Sequence, residues 1–545
     1  MFLGPLSRNR LFWLALLLAA LLGTWLRAQQ WASQVLMGDE WHAIHQLVYY
    51  SPSAAARTFG YADHSIPLVL LAFFEMRWTA FNEALLRWPM LAAGVATLAL
   101  LPWMWRKRLD DSTVILFAFL LACSSLLVCY ARMGRPYALT LFLVYAAYAL
   151  FARSTAHGTL RWGAALGYAL LCGLAVWAHP ITGPLLVAPL LATGWQRLRG
   201  LGPHLPWPAF LGLCALTGAM MALAVMPPLI LDSAALAKKS GVNSIGWDTV
   251  LGATHLWFGT GSTWLLAVVV ALSFLGASAV LRALPEARWL LLGVALTVLA
   301  LLFSRPWWID KPAALARYLL PVVPILLLML AAGSMRLANL LPAPARTAGV
   351  LAIGATVLAA GVATSPLPEM LVRPNSYAQD YYFHYDYRRP LDPLHDGRAG
   401  QPDAVFWNNF AVIPPATLTF AVAPFQYSSH AWPVPVWERV SRQRVIPAFL
   451  WGVCEPTRHG EVPPDARFAL ANAVHVIDRE RLIAQGVDYL VYYVPGPILD
   501  SSPPVPQCES AVRSKYGDPD YEDAVFAAWR LNPAAPVPSI SRKSR

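Results

Sequence analysis

Two acids, several histidines and a scattered set of cations carry the chemical potential of this chain. Just after the first apolar stretch comes Gly38-Asp39-Glu40-Trp41-His42, followed by Asp63-His64-Ser65-Ile66-Pro67-Leu68. Residues 1–364 contain 11 Asp and Glu, and three of them (Asp39, Glu40 and Asp63) fall in this one segment. A carboxylate at a lipid–water boundary can take the proton of an attacking hydroxyl, and Asp39 is the candidate general base. The plainer alternative is a helix start, with Asp39 as the cap and Glu40 in the first turn, where the helix dipole favours negative charge.

The cations form a second group. Arg132 and Arg135 lie in Tyr130-Ala131-Arg132-Met133-Gly134-Arg135-Pro136-Tyr137; Lys238-Lys239, Arg305, Lys311 and Arg317-Tyr318 come later. Guanidinium groups hold phosphate oxygens in pairs, and ammonium groups act on them as point charges. Pairing with anionic lipid headgroups, or with Asp232 and Asp310, accounts for the same cations. His179, in Trp177-Ala178-His179-Pro180, and His255, in Thr254-His255-Leu256-Trp257, are candidates for touching a substrate, although a lone histidine is as well explained as a structural residue.

The elements that must position these groups are membrane helices. Of 545 residues, 57% are hydrophobic and only 13% charged, against roughly 25% charged in a soluble globule. A wholly soluble enzyme and a disordered regulator are excluded. The net charge of +11 divides into +13 up to residue 364 and −2 beyond it. The excess positive charge thus lies between apolar segments, where loop topology and lipid phosphates explain it and nucleic acid does not.

Apolar stretches long enough to cross a bilayer number about eleven: 11–27, 87–105, 113–131, 137–152, 162–178, 181–196, 208–229, 262–281, 288–304, 318–335 and 347–364. With the N-terminus cytoplasmic, the inner loops carry Arg106-Lys107-Arg108, Arg153 and Arg161, Arg197 and Arg199, Arg282 and Arg288, and Arg336 and Arg346. That is the positive-inside pattern. An odd number of spans leaves the C-terminal part outside. The stretch 66–80 contains Glu75 and Arg77; as a span it would reverse every later loop, so it is expected as a juxtamembrane helix.

The expected organisation is mainly α: a polytopic membrane helix bundle over 1–364 with a first outer loop at 28–66, an outer soluble α/β domain over 365–531, and a disordered tail from 532 to 545. Val487–Val494 reads as a strand and 466–484 as a helix. Cys454 and Cys508 fall in the outer, oxidising compartment and either pair or remain free. The other four cysteines suit the apolar core. Neither a CxxC nor a His-rich metal spacing is present.

Taken in order, these stretches resemble the GT-C glycosyltransferases, in particular the bacterial relatives of protein O-mannosyltransferases and of the aminoarabinose transferase that modifies lipid A. The resemblance is carried by Asp39-Glu40, Asp63 to Leu68, Asn82-Glu83-Ala84-Leu85-Leu86-Arg87-Trp88-Pro89, Tyr130 to Tyr137, His179, and Arg317-Tyr318-Leu319-Leu320-Pro321-Val322-Val323-Pro324, over roughly residues 1–335. It implies a sugar donor on a polyprenyl (undecaprenyl) phosphate, used at the periplasmic face of a bacterial inner membrane. Asp39 would deprotonate the acceptor, and one displacement would invert the anomeric centre. Arg317, with Arg135, His64 and Lys311 behind it, would stabilise the departing lipid phosphate. Glu40, Asp63, Arg132, Tyr137, His179, His255 and Tyr318 complete the expected substrate-binding set. The sequence departs from many relatives in having no acid between Tyr130 and Tyr137, so transfer without a divalent metal or other cofactor is expected. The acceptor (lipid, glycan or protein) is left open. A transporter or flippase of lipid-linked saccharide, or a non-catalytic assembly protein, is the alternative; the polar clusters at one surface and the lack of matching halves speak against transport.

Overall fold

The protein was analysed as a computed structural model that describes residues 5–536, apart from 33, 37, 60–64, 202–204, 373–402, 426–432, 451–467, 471–473, 476–478 and 495–506. Among the described residues, eight helices are long and apolar enough to cross a membrane: Asn9–Ala28, Glu83–Trp105, Tyr137–Ser154, Trp207–Leu231, Thr263–Ala283, Pro285–Ser304, Leu320–Asn339 and Ala343–Ala363. The pair Asp111–Cys123 and Ser125–Ala131, bent by 54°, makes a ninth where it is counted as one broken span.

The expected eleven is therefore corrected to eight or nine. The other two segments are helical but short, Trp162–Ala178 with 17 residues and Gly183–Leu198 with 16. At 1.5 Å per residue they reach about 24–26 Å, less than a hydrocarbon core of about 30 Å. Pro180 ends the first of them by forcing His179 into extended backbone, φ −158° and ψ 108°. The two are consecutive, so counting both or neither leaves the later loops on the same sides.

Local chemistry sets the ends of the helices that frame the site. Asn82 caps the Glu83–Trp105 helix by accepting from the Leu85 amide at 3.1 Å. Asp110 caps the next helix through Thr113, from its amide at 2.8 Å and its hydroxyl at 2.7 Å. The break at Ser124 frees carbonyls that the buried Arg27 takes up, donating to Ala122 O at 3.0 Å and Leu121 O at 3.1 Å. The bend is thus fixed by a cation on a different helix, which satisfies the carbonyls a broken helix leaves over.

The Ile66–Glu75 helix buries Ile66, Leu68, Val69 and Ala72 and stops at Glu75, with Arg77–Thr79 in a turn. Its ten residues make about 15 Å, half of a bilayer crossing.

Beyond the helices lies a six-stranded mixed sheet. Its strands are β1 (Thr419–Phe425), β2 (Arg444–Phe449), β3 (Val474–His475), β4 (Tyr489–Tyr493), β5 (Tyr521–Glu522) and β6 (Phe526–Arg530), in the order β3-β2-β1-β4-β6-β5. β3, β2, β1 and β4 run parallel, with β6 and β5 added antiparallel to their neighbours. β4 occupies the segment read as a strand. The helix expected over 466–484 is corrected: among the described residues of that stretch the helical part is Arg479–Ala484, and Val474–His475 pairs with β2 at the sheet edge. The tail expected to be disordered from 532 is still packed at Pro536, whose carbonyl accepts from the Tyr489 hydroxyl at 2.7 Å, with Ala535 buried. The remainder of that tail lies outside the described residues.

The sheet and the first polar loop share one hydrophobic core. Val35, Leu36, Trp41, Ile44 and Leu47 belong to the same buried cluster as Trp407, Phe420, Phe449 and Leu490. Trp41 meets Phe449 edge-on at 5.7 Å. A short backbone bridge joins Phe81 to Phe468, with the Ala469 amide donating to Phe81 O at 2.8 Å.

Candidate active site

Gly38–Glu40 forms a single 3-10 turn leading into the Trp41–Tyr49 helix. Glu40 occupies the cap position of that helix but makes no side-chain capping bond. The two acids turn instead to separate partners.

Glu40 is wholly buried and meets Arg87 in a two-point pair, Nε to Oε1 and Nη2 to Oε2, each at 2.8 Å. Arg87 gives its remaining N–H groups to carbonyls of the loop: Trp31 at 3.0 Å, Gln34 at 2.8 Å and Val35 at 3.0 Å. All five donors of the guanidinium are thereby used. The Gly134 amide adds a third bond to Glu40, at 2.7 Å. A Cβ at Gly134 would lie 2.6 Å from Leu86 Cδ2 and 3.1 Å from Glu40 Oε1, so no side chain fits there. Glu40, expected to bind substrate, is instead engaged in joining the loop, the Glu83–Trp105 helix and the 132–136 turn.

Asp39 faces the other cations. Its Oδ2 accepts from Arg317 Nη1 at 2.7 Å and lies 3.6 Å from Arg135 Nη2, while Arg135 Nη1 donates to the Asp39 carbonyl at 3.4 Å. The side-chain exposures are 13% for Asp39, 9% for Arg317 and 4% for Arg135. Both guanidiniums sit over the Tyr137 ring, at 5.9 Å for Arg135 and 5.6 Å for Arg317, within cation–π range. Arg317 is also 5.6 Å from the Tyr318 ring. Burial opposes its charge, but its phenolic neighbours and Asp39 outweigh this and hold its pKa well above the ordinary arginine value. His179 lies between Tyr137 and Tyr318, with ring centroids 5.4 and 5.5 Å away, and Tyr130 meets Tyr137 edge-on at 5.0 Å. The Tyr137 hydroxyl is buried and has no hydrogen-bond partner.

The structure thus brings Asp39, Arg135, Tyr137, His179, Arg317 and Tyr318 into one cluster, drawn from four turns far apart in sequence. Arg132 is buried beside it, next to Cys129 and the Arg87 charge, and reaches the Met370 carbonyl at 3.4 Å. Burial pulls its pKa down to about 10. Two expected members stand apart. Lys311 is 46% exposed and lies 3.8 Å from Asp310. His255 is buried against its own loop, with Nδ1 at 2.8 Å from Thr260 O; burial lowers its pKa, which favours the neutral ring. Asp63 and His64 lie outside the described residues. Cys508 is disulfide-bonded, whereas its expected partner Cys454 lies outside the described residues. Among the described residues no three His, Cys, Asp or Glu side chains converge as a metal-ion set would.

Arg87, Gly134 and Tyr130 are the residues whose part the sequence reading missed. Arg87 had a signal: it is a charge at the start of an apolar segment, and such charges are rare and paired. Gly134 had none, because its contacts come from residues 40 and 86.

Fold and site together define a polytopic membrane protein with a mixed-sheet domain over one end of its helix bundle and a carboxylate–guanidinium centre where the two meet. No protein-family model and no curated protein matches the sequence. Among solved structures the chain is similar to ArnT from Cupriavidus metallidurans bound to undecaprenyl phosphate, with a TM-score of 0.45, 12% identity, and coverage of 97% of this chain and 99% of that one. It is also similar to the Archaeoglobus fulgidus oligosaccharyltransferase. The structure with zinc and sulfate gives a TM-score of 0.41 and 15% identity, covering 88% of this chain and 68% of that one. The structure of AglB from the same organism with an inhibitory peptide and a dolichol-phosphate gives 0.41 and 13%, covering 90% and 70%. Both are GT-C glycosyltransferases. With TM-scores below 0.5, these likenesses describe the general course of the chain and nothing of its site.

Proposed function

We propose that this protein is an inverting glycosyltransferase that moves a sugar from a polyprenyl phosphate to a hydroxyl acceptor at the outer face of a bacterial inner membrane. The observation that supports it is the convergence of one carboxylate, Asp39, with two guanidiniums, Arg317 and Arg135, beside a buried unpartnered tyrosine hydroxyl. A base and an anion-binding pair at one point are what displacement of a phosphate from an anomeric carbon requires.

In this reading Asp39 takes the proton of the acceptor hydroxyl. The acceptor oxygen bonds to the anomeric carbon from the face opposite the phosphate, and the carbon–oxygen bond to the phosphate breaks with its electron pair passing to the phosphate oxygen. Arg317 and Arg135 hold that charge as it develops. Polyprenyl phosphate leaves, and the anomeric configuration is inverted. Glu40 and Arg87 keep the Asp39 turn in place. The basic loops support a reading with the cluster and the sheet domain on the non-cytosolic side; the bent pair then counts as one span, and the two short helices leave the parity unchanged.

The test is Asp39→Asn in proteoliposomes supplied with a polyprenyl-phosphate sugar. Near-complete loss of transfer, with normal insertion and elution, supports the proposal. Retained transfer would remove Asp39 as the base, and transbilayer movement of the lipid by wild type and variant alike without any transfer favours the transporter reading instead.

A further inference from the structure

The oxygen expected to act as base is already occupied. Asp39 Oδ2 accepts a hydrogen bond from Arg317 at 2.7 Å and has Arg135 at 3.6 Å. In this arrangement Arg317 stabilises the charged carboxylate and so opposes its taking the acceptor's proton, and the N–H that Arg317 gives to Asp39 is not offered to a phosphate. Each group weakens the other in its proposed task.

A neighbouring group is poised for a different anion. The Tyr137 hydroxyl is buried without a partner, and its ring lies against both guanidiniums, 5.9 Å from Arg135 and 5.6 Å from Arg317. A buried donor left unpaired is unfavourable, and an incoming oxygen would relieve it. A single carboxylate on Arg317 leaves this hydroxyl unused; a phosphate, with more acceptor oxygens and more charge, can engage Arg317, Arg135 and Tyr137 together.

We infer that Asp39 is the resident counter-ion of the phosphate site, and that the donor's phosphate displaces it from Arg317 and so frees the base. This deepens the polyprenyl-phosphate reading and rests on it. The exchange couples donor binding to activation of the acceptor: with no phosphate present, the carboxylate remains tied to the guanidinium, and a bound hydroxyl meets a weakened base.

Removing the competing carboxylate should therefore tighten the binding of the phosphate lipid, provided Arg317 is present. The experiment is a double-mutant cycle on the full-length protein in lipid nanodiscs, with undecaprenyl phosphate as the probe. Asp39→Ala is expected to lower its Kd about tenfold or more, and Asp39→Asn by a smaller factor, since a neutral amide oxygen holds a guanidinium less firmly. In an Arg317→Gln background the same Asp39 substitutions should change Kd less than twofold, because the contested partner is gone.

Equal tightening with and without Arg317 would mean simple repulsion between carboxylate and phosphate, and would overturn the exchange. No tightening in the Arg317-containing protein would also overturn it, while leaving the transferase reading intact. Absence of undecaprenyl phosphate binding to the wild-type protein would remove the donor assignment and the exchange together. Should Asp39→Ala fail to elute as a single species, the near-isosteric Asp39→Asn decides the matter alone.

Discussion

Arg87, itself out of solvent, gives two of its five N–H donors to Glu40 and the other three to the carbonyls of Trp31, Gln34 and Val35. The residue preceding Glu40 is Asp39, which turns to Arg317 instead. One buried ion pair thus holds the turn from which the proposed base projects. Breaking a buried pair from one side costs about 3–5 kcal/mol. Glu40→Gln should lower stability by about that amount in thermal denaturation of the solubilised protein. Arg87→Met should cost more, because it also leaves three carbonyls without donors. Equal melting points for the two variants would contradict this account of Arg87.

Gly134→Ala tests the third bond to Glu40. The new methyl group would sit 2.6 Å from Leu86 Cδ2 and 3.1 Å from Glu40 Oε1. Overpacking of this kind costs about 1–3 kcal/mol, and transfer should fall with stability. Leu86→Ala introduced together with Gly134→Ala should recover part of the loss; a double variant no better than the single one would place the strain elsewhere.

Tyr137→Phe should act in opposite directions on stability and function. It deletes a buried hydroxyl that has no partner, so the melting temperature should hold or rise. Affinity for undecaprenyl phosphate should fall about tenfold, the loss of one hydrogen bond to a charged acceptor, worth about 1.5 kcal/mol. A drop in melting temperature with unchanged affinity would assign Tyr137 a packing role only.

Arg317→Lys and Lys311→Gln separate the site from its surroundings. Lysine at 317 keeps the charge but loses the planar fork, and removal of one donor from a charge-stabilising site costs about 10²-fold in kcat. Lys311 is exposed beside Asp310, so Lys311→Gln should leave turnover within about twofold. A large effect at Lys311 would move the phosphate site outward.

Phe449→Ala probes the joint between the sheet domain and the proposed base. Phe449 is fully buried and packs on Trp41, two residues beyond Asp39. Truncating it should destabilise the protein by about 3–5 kcal/mol and lower kcat. Transfer at the wild-type rate would show that the turn holds without the domain.

Most of this architecture was legible in the chain because burial in lipid demands continuous apolar runs, and these can be read without knowing their neighbours. All eleven apolar stretches are helical, and the two that fall short of a crossing are cut from each other at His179 and the 3-10 turn Pro180–Thr182. The convergence of Asp39 with Arg135 and Arg317 could be anticipated because charges next to apolar segments need partners. What stayed hidden depended on packing across long sequence distances. Glu40 reads as a substrate ligand in sequence, whereas Arg87 and Gly134 occupy it, and Lys311, ranked behind Arg317 in the same phosphate-binding role, is exposed where Arg317 is buried. The strand β3 was misread because two residues at a sheet edge leave no periodicity.

The core shared by Trp41, Ile44 and Leu47 with Phe449 and the strands around it imposes an order on biosynthesis. Trp41 leaves the ribosome roughly 400 residues before Phe449, about 20–80 s at ordinary rates of translation. Through that interval the loop has Val69, Phe81 and Leu86 against it but lacks the cover of the strands. A truncated or half-made chain would consequently sit in the bilayer with its helices assembled and the Gly38–Glu40 turn short of half its packing, so that the cluster around Asp39 is finished only once the last domain has been translated.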